Sequence, residues 1–227
     1  MQNTIPLAEA FRKIIFQRHH KPVISRYELV KYLYDLYQVK IYDGLPIGKI
    51  SVDAPDSRVI NKNIKEVINQ GLLKKVGNLQ LYDLAGRGEP TPQQVLCTLH
   101  PFCYLSYFSA MEWYGITERI PKVIHATTCS IKQFQFLAKQ RQQLDFDGLS
   151  PTVIPRTIPE KILGRKVVLH ATQSFSNVQE LDGSGGVRVT SLGRTFLDML
   201  KEPDRCGGFK HILQVFLEYA EQSLPLI

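Results

Sequence analysis

Apolar residues recur at helical spacing three times within the first 70 positions. In LAEAFRKIIFQRHH, Leu7, Phe11, Ile14 and Ile15 share one face, and His19, His20 and Pro22 end the run. Ser25 restarts it as an N-cap, and Leu29, Leu33, Leu36 and Tyr37 form the second apolar stripe. After a Gly- and Pro-rich stretch over 38–56, which reads as a short strand plus loop, Asp56 or Ser57 caps a third helix. Ile60, Ile64, Val67 and Ile68 line its apolar side, and Gly71 suits its stop. LLKKV and LQLYDL then flank Gly77-Asn78, a two-residue turn signal for a hairpin. Three helices and a hairpin predict a winged helix-turn-helix over residues 1–86.

GRGEPTPQQ, residues 86–94, is polar and reads as a linker to a second domain over 95–227. There the pattern predicts a helix from Pro101, suited to a first helical position, to Gly115. The small residues Ser106, Ser109 and Ala110 allow it to pack closely. KVIHATTC, GRKVVLHAT and GVRVTS read as strands, with KQFQFLA a further strand candidate; helices follow over about 192–201 and 207–222. The expected fold class is α+β, with the C-terminal helices on a mainly antiparallel sheet.

Charge sharpens the picture in the first domain. The chain of 227 residues carries a net +7; residues 1–90 hold 14 Lys/Arg and 9 Asp/Glu, so +5 lies there. An uneven basic excess points to an anionic partner, in the usual case nucleic acid. Arg58, Asn61, Lys62, Lys65 and Asn69 fall on the polar side of the third helix, and Lys74 and Lys75 open the hairpin. A helix entering the major groove needs one face for its own domain and one that donates to phosphates and base edges. Arg58 and Asn61 are candidate base readers, and Lys62, Lys65, Lys74 and Lys75 candidate phosphate contacts. The competing reading is a solvated basic face with no ligand.

Catalytic patterns are missing. Cys97, His100 and Cys103 are three apart but lack an evident fourth ligand, so buried thiols at a helix start are the better reading than zinc. No Cys-x-x-Cys pair is present, and the four cysteines are expected as reduced thiols. His19 and His20 beside Lys21 suit a helix C-terminus. His125 and His170 sit in strand patterns and, paired across a sheet, would need a nucleophile or carboxylate that is not in view; a structural or interface role is expected. No Walker loop, nucleophile elbow or dinucleotide fingerprint occurs, and GSGG at 183–186 is a turn with no helix after it. No enzyme, cofactor or metal is therefore expected. No apolar run approaches the ~20 residues of a membrane span, and no signal-peptide core opens the chain. The expectation is a cytoplasmic protein with no membrane partner.

Near the C-terminus, Val187 and Val189 alternate with Arg188 and Thr190, Ser191 can cap a helix, and Leu192, Phe196, Met199 and Leu200 form its apolar stripe. Arg194 and Asp198 are neighbours four apart, in the less favoured order. Arg194 is expected to reach back to strand-end carbonyls with Asp198 holding it, and Gly207-Gly208 to open the last helix with exposed N–H groups.

SLGRTFLDMLKEPDRCGGFKHILQVF resembles the Arg-Thr-hydrophobic-hydrophobic-Asp, then Pro…Gly-Gly, signature of AbiEi-type antitoxins. PFCYLSYFSAMEWYGITE is similar to that family's Ser-Ala-containing helix ending in Gly. The resemblance spans nearly the whole chain in patches, and it puts Arg194, Thr195 and Asp198 at the signature positions. It departs where the family often has a Pro and an acidic residue before the Arg; Leu192 and Gly193 stand there. It implies an autorepressor that binds repeats in its own promoter as double-stranded DNA, and that counters a co-encoded nucleotidyltransferase toxin, directly or indirectly, in phage defence. Two other readings stand beside it: a plain winged-helix regulator whose C-terminal domain binds a ligand or partner, and a phage-defence nuclease.

Overall fold

The computed structural model describes residues 4–48, 50–149, 151–175 and 184–223. Eight α-helices and nine strands are formed among them, a mixed α/β architecture. The chain divides into two compact units, Met1–Pro90 with Gln135–Arg156, and Thr91–Phe134 with Thr157–Ile227.

In the first unit, α1 (Leu7–Arg18), β1 (Val23–Ser25), α2 (Arg26–Val39) and α3 (Ser57–Asn69) precede β4 (Leu73–Lys75) and β5 (Leu81–Leu84). The three strands form an antiparallel sheet in the order β1-β5-β4. Ser25 caps α2 in a full capping box with Glu28, which satisfies two otherwise orphaned donors at once. Asp56 caps α3 by accepting from the Val59 N–H at 2.8 Å. The apolar stripes meet as expected: Phe11, Ile15, Leu29, Leu33 and Ile60 are sealed from solvent. Val76 and Leu79 close the hairpin turn around Gly77-Asn78, but the loop extends to Gln80 before pairing resumes.

The 38–56 stretch is more ordered than a strand plus loop. β2 (Ile41–Tyr42) and β3 (Leu45–Pro46) pair in a two-residue hairpin at Asp43-Gly44, both left-handed with φ of 54° and 75°. Ile47 then bridges to Ile5, and Asp53 is tied by Lys40 at 2.7 Å.

A segment from far along the sequence completes this unit. KQFQFLA is not a strand; it lies in α6 (Ile131–Phe146), a helix of 16 residues. Its Gln, Lys, Arg, Leu and Ala content favours a helix, and that outweighs the Phe-Gln-Phe alternation. Phe146, with no exposed surface, inserts between the rings of Tyr27 and Tyr34, edge-on to both at 5.3 and 5.4 Å. Tyr27 donates to Asp145 at 2.9 Å and Tyr34 to Asp147 at 3.2 Å. The expected picture of two consecutive domains, 1–86 and 95–227, leaves out this return of the chain.

The linker expectation also shifts. Residues 92–94 are already helical: Thr91, itself extended, caps α4 (Pro92–Leu99) with a second capping box, to Gln94. The helix expected from Pro101 is instead β6 (Cys103–Leu105) followed by the shorter α5 (Tyr107–Trp113), which Gly115 ends with φ of 65°. β7 (Val123–Cys129), β8 (Lys161–Ile162) and β9 (Arg165–Thr172) complete a sheet in the order β6-β7-β9-β8. Two of its three pairings are antiparallel; the long central one, β7 with β9, is parallel. α5 lies on this sheet through its small residues: the buried Ser109 accepts the His125 N–H at 2.9 Å, and Thr127 donates to Ser106.

The stretch 187–190 is not a strand. Val189 makes a single parallel bridge to Leu105, and both alternating sets of side chains are buried. Arg188 is the cause: its guanidinium donates to the carbonyls of Cys97, His100 and Cys103, at 2.9 Å for His100 and 2.8 Å for Cys103. A buried cation requires such partners, so Arg188 turns inward to them and the alternation of buried and exposed side chains is lost. α7 (Leu192–Lys201) and α8 (Phe209–Ser223) then pack on α5 around Met111, Met199, Ile212 and Val215.

Candidate functional site

The basic positions of α3 come out on one surface. Arg58, Asn61, Lys62, Lys65 and Asn69 are all exposed, while Ile60, Asn63, Ile64 and Val67 turn inward. None of the cations Arg58, Lys62, Lys65, Lys74 and Lys75 is held in an ion pair among the described residues. Ion-pair-free cations in a row suit a phosphate backbone. Arg26, at the start of α2, joins this surface: its Nη2 donates to Asn61 Oδ1 at 2.8 Å. Sequence reasoning missed it, because Arg26 and Asn61 are 35 positions apart. Asn61 thus has its carbonyl oxygen occupied and its amide NH2 available. Lys74 and Lys75 are both exposed but adjacent on β4, so they project to opposite faces of the sheet. Lys74 stands across from Asp83 and Lys75 across from Tyr82. The two therefore do not form a single row of phosphate contacts.

The signature residues belong to the second unit. Ser191 caps α7, and Thr195, fully buried, donates back to the Ser191 carbonyl at 3.0 Å. Asp198 is buried and accepts from Arg194 Nε at 2.7 Å, while the Arg194 side chain is 59 % exposed. The pair thus forms despite its less favoured order, with Arg194 as the partner of the buried acid. Arg194 does not reach strand-end carbonyls; Arg188 does that. Arg194 lines a cleft of about 630 Å³ with Tyr104, Tyr107, His170, Glu202 and Arg205.

Three features shape the cleft. Arg205, from the 3-10 turn Pro203–Cys206, donates to Tyr107 Oη at 3.1 Å and lies over the ring at 5.2 Å. Tyr107 itself is left-handed, with φ of 53°, a conformation that costs a bulky residue about 1–3 kcal/mol and survives only where its surroundings enforce it. His125 and His170 lie diagonally across the parallel β7-β9 pair, with ring planes within 10° of parallel, and share a hydrogen bond of 3.0 Å. Burial, then the nearby Arg205 guanidinium, lowers both imidazoles, His170 to about 4, so the pair is uncharged at neutral pH.

Elsewhere, Cys97 lies in the last turn of α4 and Cys103 opens β6, so the two thiols do not sit at a helix start. They lie together beside Arg188, and the hydrogen bond with Cys97, then burial, raises the Cys103 thiol well above its usual range. Among the described residues, no group of three or more His, Cys, Asp or Glu is arranged to hold a metal. Gly207-Gly208 does not offer free N–H groups: Gly208 donates to the Pro203 carbonyl at 2.9 Å. Gly207 is there because it is left-handed at φ 93° and because a Cβ would meet His211 Cδ2 at 2.7 Å. GSGG falls partly outside the described residues, at position 183. No helix among the described residues is long and apolar enough to cross a membrane.

Compared with known proteins, the chain matches no family model. No curated protein is significantly similar to it.

Proposed function

We propose that the first unit is a winged helix-turn-helix that binds double-stranded DNA and represses the chain's own promoter. The observation that carries this is the exposed row Arg58, Lys62 and Lys65 on α3, held in no ion pair among the described residues. The order α1-β1-α2-α3-β4-β5, with the small β2-β3 hairpin inserted between α2 and α3 and with β1 paired to β5, supports the same reading. α3 enters the major groove, Arg58 and Asn61 read bases, and Lys62 and Lys65 hold phosphates. Arg26 positions Asn61. One of Lys74 and Lys75 follows the backbone as the wing.

The second unit acts as an AbiEi-type antitoxin, countering a co-encoded nucleotidyltransferase without catalysis of its own. This rests on the resemblance at Arg194, Thr195 and Asp198, and it is supported by the way Asp198 and Ser191 brace α7 so that Arg194 is presented outward. A reporter driven by the upstream DNA tests the first half: repression is expected, and its loss in the Arg58→Ala/Lys62→Ala double variant. Co-expression with the neighbouring toxin tests the second: growth rescue that fails in Arg194→Ala is expected, and no rescue by the unaltered chain overturns it.

A second reading, a regulator whose second unit binds a ligand, is favoured by one observation. The cleft at Arg194 and Arg205 is large and built from four separate stretches of chain.

A further inference from the structure

We propose that the cleft of the second unit binds a phosphorylated small molecule of mononucleotide size, with its phosphate on Arg194 and Arg205 and its planar group against Tyr104. The inference rests on the ligand-binding reading just given and requires nothing of the basic face on α3.

Arg194 is anchored at Nε and so presents both outer nitrogens, whereas Arg205 presents Nη2. Arg194 Nε is held by the buried Asp198 at 2.7 Å, and Arg205 Nε stands 3.7 Å from Glu202. Arg205 Nη1 is further fixed on Tyr107 Oη. A planar fork held from behind is the arrangement that takes two phosphate oxygens at once. Arg205 brings its remaining Nη2 into the same cleft, a second cation beside the Arg194 fork, which a monoanion would not require.

The start of α7 adds to this. Ser191, in the cleft lining, accepts the Arg194 N–H at 3.3 Å as helix cap and keeps its own hydroxyl proton to donate. A helix N-terminus carries partial positive charge, which favours an anion there. Among the described lining residues, Glu202 alone is a carboxylate, and it faces Arg205.

The size and walls indicate more than inorganic phosphate. A volume near 630 Å³ lies within the ~300–1,000 Å³ of small-molecule sites. Tyr104 is stacked on Phe175 at 5.7 Å, which fixes its ring as a wall. Tyr107 is held in its left-handed conformation between Arg205 and His170, whose ring is 4.9 Å away. His170 spends Nε2 on His125, which leaves Nδ1 for a ligand hydroxyl.

Calorimetry of the full chain at low salt, with AMP, adenosine and inorganic phosphate as probes, tests this. AMP is expected to bind at least tenfold more tightly than either of the others. Arg194→Gln and Arg205→Gln should each weaken AMP at least tenfold with unchanged circular dichroism; Arg194 is largely exposed, so its variant folds even if the Arg205 variant does not. Lys62→Ala/Lys65→Ala should leave AMP binding intact while weakening DNA binding, which separates this cleft from the basic face. No AMP binding at millimolar concentration, or binding undiminished in Arg194→Gln, overturns the proposal. A 5′-phosphorylated trinucleotide that binds tenfold more tightly than AMP, and loses this in Arg194→Gln, overturns the small-molecule assignment in favour of a nucleic-acid end.

Discussion

Replacing Phe146 by alanine should loosen the N-terminal unit more than any change of similar size on the same helix. Phe146 is fully buried and meets two tyrosine rings edge-on. A Phe→Ala change at such a site costs about 3–5 kcal/mol from lost transfer energy and the cavity left behind. The two ring contacts contribute about 0.5–1.5 kcal/mol each beyond area burial, which places the cost near ~4 kcal/mol. Removing the ring also frees the Tyr27 and Tyr34 hydroxyls from the fixed positions in which they donate to Asp145 and Asp147. Amide hydrogen exchange across α2 reads this locally. At 1.4 kcal/mol per decade, α2 amides that exchange through opening of this contact should speed up by roughly 10³-fold. Phe136→Ala is the control, since Phe136 is 60 % exposed on the same helix and surface changes stay within ~0.5 kcal/mol. Equal exchange in the two variants, or an α2 rate within threefold of the unaltered chain in Phe146→Ala, would refute the assignment of residues 135–156 to this unit.

Two further outcomes follow from buried groups. His100 is lowered to about 4, first by burial and then by the Arg188 cation, and donates its Nε2 proton to Thr128 at 3.3 Å. A base with a depressed folded pKa is neutral when folded and protonated when unfolded between pH 6.5 and about 4, so the unfolded chain binds more protons there and stability falls as pH falls through that window. His100 alone contributes a loss of roughly 3 kcal/mol; a melting temperature that holds constant from pH 7 to 4.5 contradicts this. Gly207→Ala places a Cβ 2.7 Å from His211 Cδ2 at a left-handed position, with about 1–2 kcal/mol from the backbone and about 1–3 kcal/mol from overpacking. Chemical denaturation should show a loss of at least ~2 kcal/mol, and a Gly208→Ala control, which meets no atom within 4 Å, should lose less.

How far the sequence carries depends on the range of the forces involved. The caps at Ser25 and Asp56 and the stripes of α1 to α3 were legible because each helix is decided within a few residues of itself. The Asp43-Gly44 turn was equally local, but its two-residue strands are too short for a periodicity to show. Val187 to Thr190 alternates like a strand, yet Arg188 turns inward to carbonyls 85 or more positions away, and nothing nearby in sequence announces that. The same holds for the cleft. Arg194 and Asp198 are visible as an i, i+4 pair, whereas the contact of Tyr107 with Arg205 spans 98 positions. His125 and His170 could be guessed as cross-strand partners, but their offset by two positions follows from a parallel register that the residues themselves do not encode locally.

Binding of the chain to its own upstream DNA, titrated with salt beside unrelated DNA of equal length, decides whether the first unit recognises DNA. Tight binding to the upstream DNA is expected, at least a hundredfold over the unrelated sequence, falling steeply as salt rises. Lys62→Ala should weaken both DNAs alike and reduce the salt slope by about one, whereas Asn61→Ala should cost selectivity with the slope unchanged. Weak and equal binding to both DNAs, unaffected by either substitution, would contradict the account and leave the α3 surface a solvated face.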